Sequence, residues 1–353
     1  MISRKSLTKE WLERTKKLYK GKDPILIEKV IRAFTLLEQL KLKGLDFIFR
    51  GGSSLLLLIK EINRFSIDID IIIPQKSKGL DGIFKNIIKE DVFTSFEEDK
   101  RTISTTVPKA HFKFFYNSVL NISKQNAVIL LDILFEDEPY FHNISLPIES
   151  PFIQTEVPVI NIELPDINCI LGDKLTAFAP NTTGIPYGKG KSLEIIKQLY
   201  DIGKLFDKFD NIQMVKKTFR HISEQELKYR KLHRSDYLQV LDDIFETACV
   251  IAFRGTDKKN SFEELNEGIK KLIHFTYSEP YRIEDAIVSA GKAAYLSGLL
   301  KNSSPGEIRR FDKKEDLTHL DITRQDFTKF NKIKKYRPEA FFYWFQAVNL
   351  LEK

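Results

Sequence analysis

Two cysteines in 353 residues, Cys169 and Cys249, are too few for a disulfide framework. They also lack the paired spacing of a thiolate zinc site. The six histidines are scattered, with no two placed three or four residues apart, so a histidine-based metal site is not expected. Any metal would have to be held by carboxylates, which suit a hard ion such as magnesium. Apolar runs such as residues 55–59 fall far short of the ~18–20 residues that span a bilayer. Arg4, Lys5, Lys9 and Glu10 stand at the N-terminus with no apolar stretch behind them, so no secretory signal is read there. Internal repeats and low-complexity tracts are missing too. What is present is apolar material in quantity: 42% hydrophobic residues, including 27 Phe and 12 Tyr, enough to bury a sizeable core and exclude wholesale disorder. The expectation is a globular cytoplasmic protein, long enough for two domains.

The net charge is +7, and it is unevenly spread. Residues 186–234 hold 12 basic and 6 acidic side chains, a net of +6; residues 301–337 hold 11 and 6, a net of +5. The rest of the chain therefore carries 7 − 11 = −4. Such a concentration suits either a surface for a phosphate backbone or simply the solvated faces of lysine-rich helices.

Helical spacing of apolar residues over 24–43, with Asp23 as N-cap and Gly44 as stop, predicts a first long helix. A short strand over 46–49 follows, then Gly51-Gly52-Ser53, then a helix over 54–61. Residues 65–74 (FSIDIDIIIP) alternate and then turn continuously apolar, the pattern of a strand with one polar face entering a buried sheet. Further strands are expected over 102–118 and 127–135, separated by a turn at Lys124-Gln125-Asn126. From Asn168 the texture becomes helical: 168–178, 192–206, 237–251, 262–274, 284–300 and 338–351. The boundary is read in the proline-bearing stretch 147–165. This predicts an α+β chain, with a mixed-sheet domain over 1–160 and an all-helical domain over 161–353 that carries the basic surface.

Asp68 and Asp70 lie two apart on the expected strand, so both side chains leave one face. Two carboxylates so close repel each other unless a cation sits between them, and magnesium fits. Upstream, Gly51-Gly52-Ser53 follows a strand and opens a helix, which lets backbone N–H groups meet a phosphate. Asp132 interrupts the apolar run 127–135. A carboxylate in a buried strand needs compensation, so Asp132 is either a third carboxylate of the same site or a residue on an edge strand facing water. Strand, Gly-Gly-Ser, helix, Asp-x-Asp strand is the order in which a polymerase-beta-like nucleotidyltransferase presents triphosphate and metal.

Gly51-Gly52-Ser53-Ser54-Leu55 and Arg64-x-Ser66-x-Asp68-Ile69-Asp70 resemble the signature of the AbiEii/AbiGii toxin-type nucleotidyltransferases. Leu171-Gly172-Asp173-Lys174-Leu175-Thr176-Ala177 is similar to that family's lysine-bearing motif, and Gln198-Leu199-Tyr200-Asp201-Ile202 to its following aspartate motif. The resemblance covers about residues 24–207. It departs at Gln198, which stands where the family often has a basic residue. The resemblance implies that Gly52 and Ser53 hold phosphates, with Gly51, Arg64 and Ser66 in the same pocket, and that Asp68 and Asp70 ligate magnesium, two ions being possible; Asp132, read from its own strand, would be the third metal carboxylate. The resemblance also implies that Lys174 reaches the triphosphate and that Asp201 completes the site from the helical domain. The bland readings of Lys174 and Asp201 are ordinary charges on helix faces.

The implied activity is transfer of a nucleoside monophosphate from an NTP to an acceptor, an RNA such as a tRNA 3′ end. The implied setting is the toxin of a toxin–antitoxin or abortive-infection pair with a cognate antitoxin protein, and no membrane is involved. Two other classes stand beside it: a non-enzymatic partner-binding module on the same fold, and a protein-modifying or kinase-like transferase using the same pocket.

Overall fold

The computed structural model describes residues 1–351 other than 20–21, 76–78, 100–106, 121–122, 124–126, 138–139, 233 and 303–306. The chain is α+β and divides into two compact units. One comprises Met1–Asp166 and His274–Glu279; the other comprises Ile167–Ile273 and Pro280–Lys353.

The first unit opens with α1 (Lys9–Leu18) and α2 (Pro24–Leu42). The Asp23 carboxylate caps α2 by accepting from the Ile25 N–H at 2.9 Å, Pro24 occupies its first turn, and Gly44 leaves it at φ +84°. There follow β1 (Ile48–Arg50), α3 (Gly51–Leu58), β2 (Ile69–Ile73), α4 (Leu80–Ile88), β3 (Ser95–Glu98), β4 (Lys109–Phe115), β5 (Val128–Phe135), β6 (Asn143–Pro147) and β7 (Asn161–Pro165). The seven strands form one mixed sheet in the order β3-β4-β5-β2-β1-β7-β6. Among the described residues, β2–β5 and β1–β7 are the parallel pairs.

One face of the sheet is core. Ile69, Ile71 and Ile73 of β2 are buried there beside Leu131 and Ile133 of β5. On β4 the apolar alternates belong to the same side: Phe84 of α4 meets the rings of Phe112 and Phe114 edge-on at 4.9 and 5.1 Å. Period-two alternation then sends Lys109, His111 and Lys113 of β4, and Asp132 of β5, to the opposite face.

The second unit holds α5 (Ile167–Ala177), α6 (Ser192–Phe206), α7 (Ile212–Tyr229), α8 (Tyr237–Ala252), α9 (Lys259–Leu272), α10 (Ile283–Lys301) and α11 (Pro338–Leu350). Helix α10 is buried nearly all round, as a central helix must be. Its small residues let neighbours approach: a Cβ at Gly291 would stand 3.2 Å from the Trp344 ring of α11. No helix among the described residues is long and apolar enough to cross a membrane.

Several boundaries differ from expectation for identifiable reasons. Helix α3 begins at Gly51, not at residue 54, and ends at Leu58. The strand expected over 65–74 is realised only from Ile69, so Asp68 precedes it. Residues 63–65 bond to a returning segment instead of the sheet: Phe65 N–H donates to Phe275 O at 2.7 Å and Tyr277 N–H to Asn63 O at 3.0 Å. Strand β7 lies in the stretch read as a boundary, and β6 ends at its first residue. Their prolines, Pro147 and Pro165, are terminal residues, where a missing N–H is tolerated. Because β7 pairs with β1, the sheet unit runs past residue 160 to Asp166. Helices α1, α4 and α7 also lie outside the expected set. The turn at Lys124-Gln125-Asn126 and residues 102–106 of the expected strand 102–118 lie outside the described residues.

Candidate active site

Strand β1 ends at Arg50, and the chain turns into α3 with no side-chain cap. Its first N–H groups therefore have no partner within the helix or from a capping side chain. Gly51 makes the turn at φ +79°, a conformation that disfavours any side chain. A Cβ on Gly51 would overlap the Asp70 carboxylate and stand 2.9 Å from its Cγ. A Cβ on Gly52 would stand 2.6 Å from Arg64 Nη2 and 2.8 Å from Ser66 Oγ. The two glycines are therefore the surface against which Asp70, Arg64 and Ser66 pack.

The same knot includes Ser53 and Asp68. Ser53 Oγ lies 3.0 Å from Ser66 Oγ and hydrogen-bonds the carbonyl oxygen of Asp68. Ser54 Oγ donates to Gly51 O at 2.9 Å. Arg64 is 2% exposed, and its Nη1 donates to Phe65 O at 3.1 Å. Gly51, Gly52, Ser53, Arg64, Ser66, Asp68 and Asp70, chosen from the sequence, are gathered around the first turn of α3.

Sheet register extends the site sideways. Arg50 of β1 pairs with Asp70 of β2, Asp70 with Asp132 of β5, and Asp132 with His111 of β4. Laterally paired residues share a face, so four adjacent strands present the row Arg50, Asp70, Asp132, His111. His111 Nδ1 lies 2.6 Å from Asp132 Oδ1. Asp132 thus sits on an interior strand of the sheet, and its compensation is an imidazole. His111 was not among the sequence candidates; its alternation with Phe112 and Phe114 marks the polar face, but its register to Asp132 is not written in the chain.

Among the described residues no group of three or more His, Cys, Asp or Glu is arranged to hold a metal ion. Asp68 stands just ahead of the strand, and Asp70 and Asp132 form a lateral pair across β2 and β5. That pair still suits magnesium, which is commonly held by one or two carboxylates together with substrate phosphates. A cavity of about 820 Å³ lies elsewhere in this unit, lined by Leu56, Ile59, Phe152 and Tyr277 near the far end of α3.

In the helical unit, Lys174 of α5 and Asp201 of α6 are neither exposed nor independent. Lys174 Nζ is 3.0 Å from Asp201 Oδ2, and their side chains are 7% and 0% exposed. Lys174 Nζ also donates to Gln198 Oε1 at 3.0 Å. Gln198 lies one turn before Asp201, so the uncharged residue at the departure from the family pattern serves as a second acceptor for the same ammonium. The reading of Lys174 as a solvated helix charge is excluded by this burial.

Residues 35–248, well over half of the chain, match the family described as nucleotidyl transferase AbiEii toxin, type IV toxin–antitoxin system. No curated protein matches the chain. Two solved structures from Helicobacter pylori are among those it is similar to. One is a provisionally assigned nucleotidyltransferase with 16% identity and a TM-score of 0.41, the match covering 78% of this chain and 92% of that one. The other, JHP933, has 14% identity and a TM-score of 0.39, with coverage of 85% and 93%.

Proposed function

The chain belongs to the AbiEii nucleotidyl transferase toxin family, the toxin side of a type IV toxin–antitoxin system, and from that premise we propose that it is a magnesium-dependent enzyme transferring a nucleoside monophosphate from an NTP to the 3′ end of an RNA, with tRNA the favoured acceptor. The observation that carries the site assignment is the register of β2 on β5, which makes Asp70 and Asp132 lateral neighbours beside the Gly51-Gly52 turn.

The N–H groups at the start of α3 take phosphate oxygens, aided by the helix dipole. Ser53, Ser66 and Arg64 keep that turn in shape through the contacts above. Asp70 and Asp132, with Asp68 beside them, are the residues to hold magnesium. When bound, the ion supplies neutralisation of the triphosphate charge. Lys174, oriented by Asp201 and Gln198, is assigned to the phosphates. The acceptor hydroxyl attacks the α-phosphorus in line, its P–O bond forming as the bond to the β-phosphate oxygen breaks and pyrophosphate leaves.

RNA is favoured as acceptor by the net +6 and +5 stretches, in which Lys189, Lys191, Lys217 and Arg220 are exposed. NTP and RNA as substrates put the reaction in the cytoplasm, where a cognate antitoxin would oppose it. The test is incubation with each labelled NTP, magnesium and total RNA. Label in RNA is expected. Label in protein instead would make the chain a protein-modifying transferase, and no label with any NTP would leave it a binding module.

A further inference from the structure

Asp132 has one side-chain partner among the described residues, His111, and His111 has one, Asp132. An ionised carboxylate can only accept, so the Nδ1 of His111 carries the proton and donates it to Oδ1. Both side chains are partly sheltered, at 20% and 35% exposure. The strand backbone that carries the imidazole is itself held. The carbonyl of His111 accepts from the Asp99 N–H at 2.7 Å, and the neighbouring Phe112 is anchored on Phe84. Strand β4 therefore brings to Asp132 a donor whose place is fixed by the core.

A carboxylate on a strand turns about its terminal bond with little resistance, since that torsion has broad wells. Asp70 is differently restrained, because it lies against Gly51. For Asp132, the His111 hydrogen bond is the side-chain bond among the described residues that selects its orientation. We propose that His111 is a positioning residue for nucleotidyl transfer, its Nδ1–H fixing Oδ1 of Asp132 and leaving Oδ2 as the ligand oxygen for a divalent cation beside Asp70. This rests on the assignment of Asp132 to the site, and it adds a residue that neither sequence motifs nor family membership marks.

Partners that orient metal ligands are typically worth 10–100-fold in metal affinity or activity. The experiment compares His111→Ala, His111→Leu and His111→Asn with Asp132→Ala in the full chain. Two readouts are taken: Mn²⁺ affinity by calorimetry with a non-hydrolysable NTP, and kcat with KM for NTP. Asn carries an amide N–H close to the Nδ1 position, whereas Ala and Leu carry no donor and Leu keeps the volume. His111→Ala and His111→Leu are expected to weaken Mn²⁺ and lower kcat by 10–100-fold, with KM for NTP changed less, and His111→Asn is expected to recover most of both. A purely structural role would instead be rescued by Leu. Loss in Asp132→Ala with no loss in His111→Ala, or loss in His111→Asn equal to that in His111→Ala, overturns the role of His111 alone. Retention of both readouts in Asp132→Ala overturns the underlying assignment of Asp132.

Discussion

Replacing Gly51 with alanine should damage the sheet unit twice over, and the two costs can be separated. At φ +79° any L-residue carries an αL penalty of about 1–2 kcal/mol. The new Cβ would also overlap the Asp70 carboxylate. Forcing that side chain aside in a packed setting costs a further ~1–3 kcal/mol, so Gly51→Ala should destabilise by roughly 2–5 kcal/mol. Two other glycines are built-in controls. Gly79 has φ +85° and nothing within 4 Å, so Gly79→Ala should show only the first cost. Gly52 has no positive φ but abuts the buried Arg64 and Ser66, so Gly52→Ala should show only the second. The assay follows from the two tryptophans: Trp11 donates its Nε1–H to Phe152 O in the sheet unit, and Trp344 lies in the helical one. In a Trp344→Phe background, urea unfolding followed by Trp11 fluorescence reports the sheet unit alone. Adding Asp70→Ala to Gly51→Ala removes the overlapping oxygen and Cγ, leaving only Cβ at 3.0 Å. The double variant should therefore be more stable than the sum of the singles by about 1 kcal/mol or more. Equal destabilisation of Gly51→Ala and Gly79→Ala, or strict additivity with Asp70→Ala, would refute the contact between the turn and the carboxylate.

Asp70→Asn and Asp132→Asn should each lower transfer by about 100-fold or more while leaving the urea midpoint near that of the parent chain, since each removes a charged ligand and keeps the shape; substantial magnesium-dependent activity in either variant removes that residue from the metal site. Lys174→Ala should lose turnover and also destabilise the helical unit by roughly 3–5 kcal/mol, because it leaves Asp201 buried and unpaired by its ammonium; a melt in which Lys174→Met combined with Asp201→Leu recovers stability without activity would separate the two roles. RNA affinity should fall with salt at a log–log slope near −0.7 to −0.9 per phosphate contacted. Reversal of Lys217 and Arg220 should flatten that slope in filter binding, whereas reversal of Lys216 should cost stability too, since its Nζ donates to Asn302 O at 2.5 Å and burial lowers its pKa.

The elements most legible in the chain are those whose pattern is local. Helix α2 announces itself through Asp23, Pro24 and Gly44, and strand β5 through an apolar run of strand length. The turn at Gly51 is legible for the same reason: a glycine pair between a strand and a helix marks a turn that needs backbone conformations other residues avoid. What the chain conceals is register. Nothing local says that Asp132 lies beside Asp70 or that His111 lies beside Asp132, because both facts depend on which strands the sheet makes neighbours. The shortening of the Asp-x-Asp strand is hidden in the same way, since its cause is a segment more than two hundred residues further on, Phe275 to Tyr277. Lys174 shows the limit from the other side. Its helix is plainly helical, but only the packing of α5 against α6 reveals that its ammonium is buried between Asp201 and Gln198.

The order of the row across the sheet bears on how the site can exist before substrate arrives. Neighbouring strands are about 4.8 Å apart, and two carboxylates at that distance repel by roughly 3 kcal/mol at an effective dielectric near 20. Left alone, the pair Asp70 and Asp132 would strain the middle of the sheet. The row places Arg50 on the far side of Asp70 and His111 on the far side of Asp132. His111 Nδ1 lies 2.6 Å from Asp132 Oδ1, a hydrogen bond that counters part of this repulsion. Asp132→Ala should accordingly remove a repulsion as well as a ligand: stability of the sheet unit, read from Trp11 in urea, is expected to change by less than about 1 kcal/mol while transfer is lost. A loss of several kcal/mol would instead show that Asp132 serves the fold first, through His111, and chemistry second.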